Sequence, residues 1–420
     1  MDQSYYLIQG KRRLSGELMV QGSKNTVLPV LASTLLVKGK TTLFHCPRIQ
    51  DVFMMTAVME QLGCKISWKN HDLTVDTSFL KGGNLPLEYT GNLRASVLFM
   101  GALLGREGYV TMGKPGGCKI GKRPIDFHLE GFSKLGACVK EREGIYECEV
   151  KALSGAEILL PFPSVGATEN LLLAAVSAQG STVLSGCARE PEVCDLAEHL
   201  LSMGAQIEGI GTDRMTIRGG RKLEPADYQV PSDRIAAATY LLGAMVTKGE
   251  IRLLLRGNNK RMESILKVLE QMGALIDLKE HSIELKMSGK ILPIYLATGP
   301  HPKPPTDIQS MVLAAALNAS GPSFIEENVF ESRYQVVQEL KKMGGNVVIS
   351  GRKASVSPVF TLYGSKVNAP DLRGGASLVV AGLGAKGNTI IGSLDDLKRG
   401  YEDIGKDFRQ LGASITEIIR

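Results

Sequence analysis

The chain has 420 residues, too many for a single ordinary core, so two or more domains are expected. With 44% hydrophobic residues, 22% charged and a formal net charge of +6, it has the composition of folded globular domains, which excludes a disordered or fibrous chain. Basic residues alternate with acids and form no arm, which argues against a nucleic-acid partner. Apolar runs such as VLPVLASTLLV fall short of the roughly 20 residues of a bilayer span, and MDQSYYLIQGKRRLSG has no apolar leader, so membrane insertion is not expected.

In chain order, SYYLIQGKRRLSGELMVQG (4–22) predicts a hairpin of two strands that completes the sheet of the last repeat. A two-part unit then recurs. Its first part is an apolar helix, then Gly, then a strand: KNTVLPVLASTLLVKGKTTL, RASVLFMGALLGREGYVTM, TENLLLAAVSAQGSTVL, DRIAAATYLLGAMVTKGEIRL, DIQSMVLAAALNASGPSFI and LRGGASLVVAGLGAKGNTII. Its second part ends in QLGCKI, KLGACV, SMGAQI, QMGALI, KMGGNV and QLGASI. The glycines, Gly63, Gly136, Gly204, Gly273, Gly344 and Gly412, recur every 68 to 73 residues, each where a helix ends in a left-handed residue before a strand.

The first helices are apolar all round and should be buried. The expected fold is therefore α/β: two inside-out α/β domains, each a threefold repeat of helix–strand units with buried helices and outer sheets. The boundaries expected are 22–231 for one domain and 1–21 plus 232–420 for the other, with the active site in the cleft between them. A solenoid of six stacked repeats is the competing architecture.

The repeats differ most at the first turns of the apolar helices, which carry Lys24-Asn25, Arg94, Thr168-Glu169-Asn170, Asp233-Arg234, Asp307 and Arg373. Thr168, Asp233 and Asp307 fit ordinary caps. Lys24, Arg94 and Arg373 oppose the helix dipole, and cations there call for an anion that the free N–H groups would also bind. Arg123 and Arg399 are placed to join them. A phosphate- and carboxylate-bearing ligand fits such a cationic site, and neither the P-loop nor the dinucleotide glycine motif occurs.

The loop MGKPGGCKIGKRPID (112–126) sets Cys118 among Lys114, Lys119, Lys122 and Arg123, which favour its thiolate, and among glycines that permit lid motion. The thiol can act as a nucleophile or as a proton donor to carbon, or be an inert cysteine on a surface loop. Of seven cysteines, the other six lie in strand- or helix-like contexts and are expected to be unreactive. The absence of Cys-x-x-Cys or metal-ligand spacing fits a reducing, cytoplasmic compartment.

With these residues in view, the chain resembles the UDP-N-acetylglucosamine 1-carboxyvinyltransferase family of enolpyruvyl transferases. The matching stretches include GSKNTVLPVLASTLL, LRASVLFMGALL, PGGCKIGKRPIDFHLEGFSKLGA, SVGATENLLLAA, REPEV, PHPKPPTDIQ, FESRY, DLRGGASLVVAG and RGYEDI, in family order along the whole chain. The resemblance implies the two-domain inside-out fold and no metal or organic cofactor. It implies transfer of the enolpyruvyl group of phosphoenolpyruvate to the 3′-hydroxyl of UDP-N-acetylglucosamine through a tetrahedral intermediate, with phosphate leaving.

Carried over by motif, Cys118 would give a proton to the methylene carbon and be the site attacked by fosfomycin. Lys24 and Asn25 would hold phosphoenolpyruvate, with Arg123 and Arg399 at its phosphate or carboxylate and Arg333 and Arg373 at the carboxylate. Asp307 would take the sugar hydroxyl proton. Arg94, Arg123, Pro124, Ile125, Asp126, Phe127, Phe162, Pro163, Ser164, Val165 and Val329 would line the nucleotide-sugar site. The chain departs from the family pattern at Ala236, where many members have Glu, at Pro370 for Thr, at Gly374 for Ala, and at Pro161–Pro163, where some carry Lys. Two other readings are a paralogue acting on another uridine nucleotide and a non-catalytic nucleotide-sugar-binding regulator. No protein partner is indicated.

Overall fold

In the computed structural model the described residues are 4–91, 93–117 and 120–419. The chain divides into two compact units: a first of Gly22–Cys118 and Arg123–Val230, and a second of Met1–Gln21, Lys119–Lys122 and Pro231–Arg420.

Each unit is built on three apolar helices. In the first they are α1 (Lys24–Ser33), α2 (Leu98–Glu107) and α3 (Val165–Ala175); in the second, α4 (Arg234–Val246), α5 (Gln309–Ala316) and α6 (Leu372–Gly384). Every residue of α4, α5 and α6 is buried, as expected of helices without a polar face. Helix α2 packs on both α1 and α3, while α4, α5 and α6 pack on one another. Amphipathic helices such as Pro191–Ser202 and Glu263–Gln271 follow in the repeats and cover these centres.

The six repeat glycines all adopt the left-handed conformation, with φ between 87° and 102°. A side chain resists that geometry, so each glycine ends its helix and turns the chain into a strand.

Sheets form the outer layer. Five have four strands and one has three among the described residues. In the five four-stranded sheets the strand after the apolar helix pairs antiparallel with one neighbour and parallel with a strand from elsewhere. Lys40–Phe44 takes Tyr228–Gln229 as that parallel partner, and Glu250–Leu254 takes Ser15–Met19. Each unit thus closes on itself instead of stacking onward as a solenoid.

The expected N-terminal hairpin does not form. Tyr5–Gln9 lies between Asn388–Gly392 and Ser414–Ile418, antiparallel to both, in the sheet of the last repeat as expected. Ser15–Met19 belongs to a different sheet. The segment between them is held away from a turn by long-range bonds: the N–H groups of Gly10, Lys11 and Ser15 donate to the carbonyls of Gly387, Leu383 and Leu411.

Candidate active site

In the first unit, Ser23 caps α1 by accepting the Thr26 N–H at 3.3 Å, and Lys24 is the first helical residue. The charge that should oppose the dipole is met by Asp51, 2.7 Å from the Lys24 Nζ, with the two side chains 10% and 4% exposed. At such burial, desolvation offsets much of the attraction, but removing either partner costs about 3–5 kcal/mol. Asn25 is half-buried beside them. Thr26 donates from Oγ1 to Asp195 at 2.5 Å. Beneath lies Glu169, whose carboxyl is pushed well up by burial and by the nearby Glu192, Glu190 and Asp195.

Arg94 lies in a 3-10 turn ahead of α2, and its Nη2 donates to the Pro124 carbonyl at 3.1 Å. Burial and the charge of Arg123 pull its guanidinium down to about 10. Two mutually repelling guanidiniums are what a bound anion would relieve. Ile125 is buried, Phe127 half-buried, and Asp126 begins the helix Asp126–Lys134. His128 on that helix is held neutral, pushed to about 3 by burial and by Arg94. Its Nδ1 accepts from the Asn170 amide, which also donates to the Val97 carbonyl and accepts the Gly101 N–H, each at 2.8 Å.

Phe162 is exposed, Pro163 is half-buried, and Ser164 caps α3 by accepting the Ala167 N–H. That cap corrects the sequence reading. Helix α3 starts at Val165, so Thr168, Glu169 and Asn170 sit a turn inside it, all buried; Thr168 donates to the Ser164 carbonyl and accepts the Ala188 N–H, and Asn170 bonds His128 and the Val97 carbonyl.

In the second unit, Asp307 lies in the 3-10 turn Thr306–Ile308 before α5. One carboxylate oxygen takes Arg333 Nη2 in a short bond, and the other takes Arg373 Nη2 at 2.9 Å. The arginine side chains are 3% and 4% exposed, that of Asp307 24%. Burial, the largest single influence, would lower the Arg373 pKa, but Asp307 by its charge and hydrogen bond, with the charges of Tyr401 and Asp233, together outweigh it and hold the guanidinium above its ordinary value. Asp371 caps α6, accepting the N–H groups of Arg373 and Gly374 at 2.9 and 3.0 Å.

Val329 is half-buried and donates its N–H to Glu327, which is wholly buried. Glu327 also accepts the Phe330 N–H and the Thr306 hydroxyl, tying the turn of Asp307 to the segment that carries Arg333. Arg399 is half-buried, 4.0 Å from Asp396. Cys118 lies outside the described residues.

A family model described as EPSP synthase (3-phosphoshikimate 1-carboxyvinyltransferase) matches residues 8–408. The chain belongs to this family of enolpyruvyl transferases. It is 39% identical over 415 residues to UDP-N-acetylglucosamine 1-carboxyvinyltransferase 2 of Caldanaerobacter subterraneus subsp. tengcongensis, covering 99% of both chains. It is 40% identical over 417 residues to UDP-N-acetylglucosamine 1-carboxyvinyltransferase 1 of Staphylococcus aureus, covering 98% of this chain and 99% of that one. Among solved structures it shares its fold with the enolpyruvyl transferase NikO from Streptomyces tendae, at a TM-score of 0.90 and 22% identity over the whole of both chains. The EPSP synthase of Acinetobacter baumannii matches at a TM-score of 0.76 and 20% identity, covering 99% of this chain and 100% of that one.

Two departures of this enolpyruvyl transferase occur together for a steric reason. A Cβ at Gly374 would meet the Pro370 ring at 2.7 Å, so the proline at 370 needs the glycine at 374. Ala236 is buried in the apolar core of its unit. Sequence reasoning missed Asp51 and Glu327. Asp51, in the first turn of Gln50–Gln61, reads as an ordinary dipole partner, and Glu327, at a strand end, carries no local signal. Cys138 lies in a strand as expected, but it is exposed, at the start of a strand of the outer layer.

Proposed function

We propose that the protein transfers the enolpyruvyl group of phosphoenolpyruvate to the 3′-hydroxyl of UDP-N-acetylglucosamine, releasing phosphate. This is the first committed step of peptidoglycan precursor synthesis, and we place it in the cytoplasm. The observation that carries the reading is Asp307 held between two buried arginines, in a chain related over its full length to enzymes named for this reaction.

In this reading the sugar hydroxyl attacks C2 of phosphoenolpyruvate and passes its proton to Asp307, while the Cys118 thiol gives a proton to C3. The product is a tetrahedral intermediate bearing phosphate and carboxylate. Loss of a C3 proton with cleavage of the C2–O bond then releases phosphate and leaves the enol ether. Asp307 is ionised by its two guanidiniums, which is the state a base needs. Charge concentrates in the intermediate, so cations fixed in advance favour it over the separated reactants. Lys24, Asn25, Arg123, Arg333, Arg373 and Arg399 supply that charge and its hydrogen bonds. Arg94, Pro124 to Phe127, Phe162 to Val165 and Val329 hold the nucleotide sugar.

The test is phosphate release from phosphoenolpyruvate with a panel of uridine nucleotides, with the product weighed by mass spectrometry. UDP-N-acetylglucosamine should gain one enolpyruvyl group. Turnover with a different uridine nucleotide alone would reassign the acceptor, and binding without phosphate release would make the protein a non-catalytic binder.

A further inference from the structure

Arg373 offers Asp307 only one of its two terminal nitrogens. The other, Nη1, points to the Tyr401 hydroxyl at 3.4 Å, with the guanidinium carbon 6.0 Å from the centre of the Tyr401 ring. The Tyr401 oxygen lies 2.8 Å from Thr239 Oγ1 on α4, and that hydroxyl lies 2.9 Å from the Ile235 carbonyl one turn back. Thr239 Oγ1 also touches the Met311 sulfur at 2.9 Å.

The ends of this row fix the direction of its hydrogens. A guanidinium can only donate and a peptide carbonyl can only accept. Arg373 therefore donates to Tyr401, Tyr401 to Thr239, and Thr239 to Ile235. Reversing any hydroxyl leaves a buried donor facing a donor, and both hydroxyl-bearing side chains are at most 1% exposed.

The mount of Tyr401 is rigid. Gln21 clamps the flanking peptides, donating from Nε2 to the Gly400 carbonyl and accepting the Glu402 N–H, each at 2.9 Å. Gly400 packs closely, since a Cβ there would meet the end of the Leu372 side chain at 2.7 Å and force it to shift. The other ionisable groups around the phenol are Arg373 and Asp233, with Tyr240 near it on α4.

We propose that Tyr401 and Thr239 are positioning residues for the enolpyruvyl transfer, a directed hydrogen-bond row that fixes Arg373 so that its second nitrogen holds Asp307 ionised and aimed. This rests on the reading of Asp307 as the group that takes the acceptor's proton. Tyr401 touches no reacting atom in this scheme; it acts through Arg373. Without its hydroxyl, Nη1 of a buried cation loses its acceptor and the guanidinium shifts. Asp307 then sees less positive charge, so its pKa rises and more of it is protonated at a given pH.

The experiment compares Tyr401→Phe, Thr239→Val, Thr239→Ser and Asp307→Asn, measuring phosphate release against pH and the unfolding midpoint of each. Tyr401→Phe should lower kcat by about tenfold, as misaimed groups do. It should move the acid limb of kcat/KM up by about half to one pH unit, with KM for UDP-N-acetylglucosamine within about twofold of wild type. Thr239→Val should follow in the same direction, and Thr239→Ser, which keeps the hydroxyl, should restore the wild-type pH profile. A fall in kcat with an unmoved acid limb would make the row merely structural and overturn the proposal, as would wild-type behaviour in both hydroxyl-less variants. Asp307→Asn separates the two levels. If it stays active, the reading of Asp307 as base is wrong and the proposal goes with it. If it is dead while Tyr401→Phe is unchanged, only the positioning row is wrong. Should Tyr401→Phe fail to fold, Thr239→Val decides.

Discussion

Asp307→Asn distinguishes a general base from a helix cap, and the structure sets the size of the effect. The carboxylate accepts from two guanidiniums whose side chains are only 3% and 4% exposed. An amide has one acceptor oxygen, and its NH₂ would face the second arginine, so at least one buried cation loses its partner. Breaking a buried pair costs about 3–5 kcal/mol. The retained amide oxygen and the 24% exposure of the Asp307 side chain discount this to about 2–3 kcal/mol. For a unit of this size that is a fall of about 5–10 °C in unfolding midpoint.

Turnover should drop by about two to four orders of magnitude, the usual worth of a general base. Inorganic phosphate should raise the variant's midpoint more than the wild type's, because an anion can replace the lost charge between the arginines. The assays are thermal unfolding with and without phosphate, and phosphate release under saturating substrates. A variant with an unchanged midpoint and near wild-type turnover would refute the reasoning, since Asn caps helices about as well as Asp.

Fosfomycin should add one drug mass to Cys118, faster with UDP-N-acetylglucosamine present. A general thiol reagent on the folded protein should also find exposed Cys138 but spare Cys64, Cys148 and Cys187, whose thiols burial pushes up to about 11, 12 and 11; peptide mass mapping reads this directly. Asp407→Asn should stabilise the second unit above pH 6. Burial raises the Asp407 carboxyl to about 6 against the lowering effect of the Tyr240 hydroxyl, so its contribution is fully present below about pH 4 and is lost as pH rises through 6. The gap over wild type in denaturant titrations, up to about 3 kcal/mol at neutral pH, should close toward pH 4; a gap independent of pH would contradict this. Gly374→Ala should lower stability and turnover because its Cβ strikes the Pro370 ring, and the double variant with Pro370→Thr should recover both; no recovery would sink the steric pairing.

The features legible in the sequence were those fixed locally. A left-handed residue after a helix asks for glycine, so the six glycines marked the repeats. Helices with no polar face have no place but a core, so the layering followed. What escaped depends on partners far along the chain. Tyr5–Gln9 and Ser15–Met19 look like a hairpin until the bonds from Gly10, Lys11 and Ser15 to residues 383–411 pull them into separate sheets. Cations at the helix starts pointed to anions, and two of those anions are the protein's own: Asp51 for Lys24 and Asp307 for Arg373. The start of α3 was misread because Ser164, its true cap, sits a turn before the polar cluster of Thr168, Glu169 and Asn170.

Residues opposite one another in the sheet of the last repeat, Tyr5 and Ile418, are about 410 positions apart in the sequence. On a ribosome making about 5–20 residues per second, Tyr5–Gln9 waits about 20 seconds to more than a minute before Ser414–Ile418 exists to pair with it. Once residue 230 has been made the first unit has all its own strands and can fold, while Tyr5–Gln9 still has both edges bare. A cell making this protein therefore handles a half-folded intermediate with an unpaired apolar strand on every round of translation, and anything that binds extended apolar segments has its longest opportunity there.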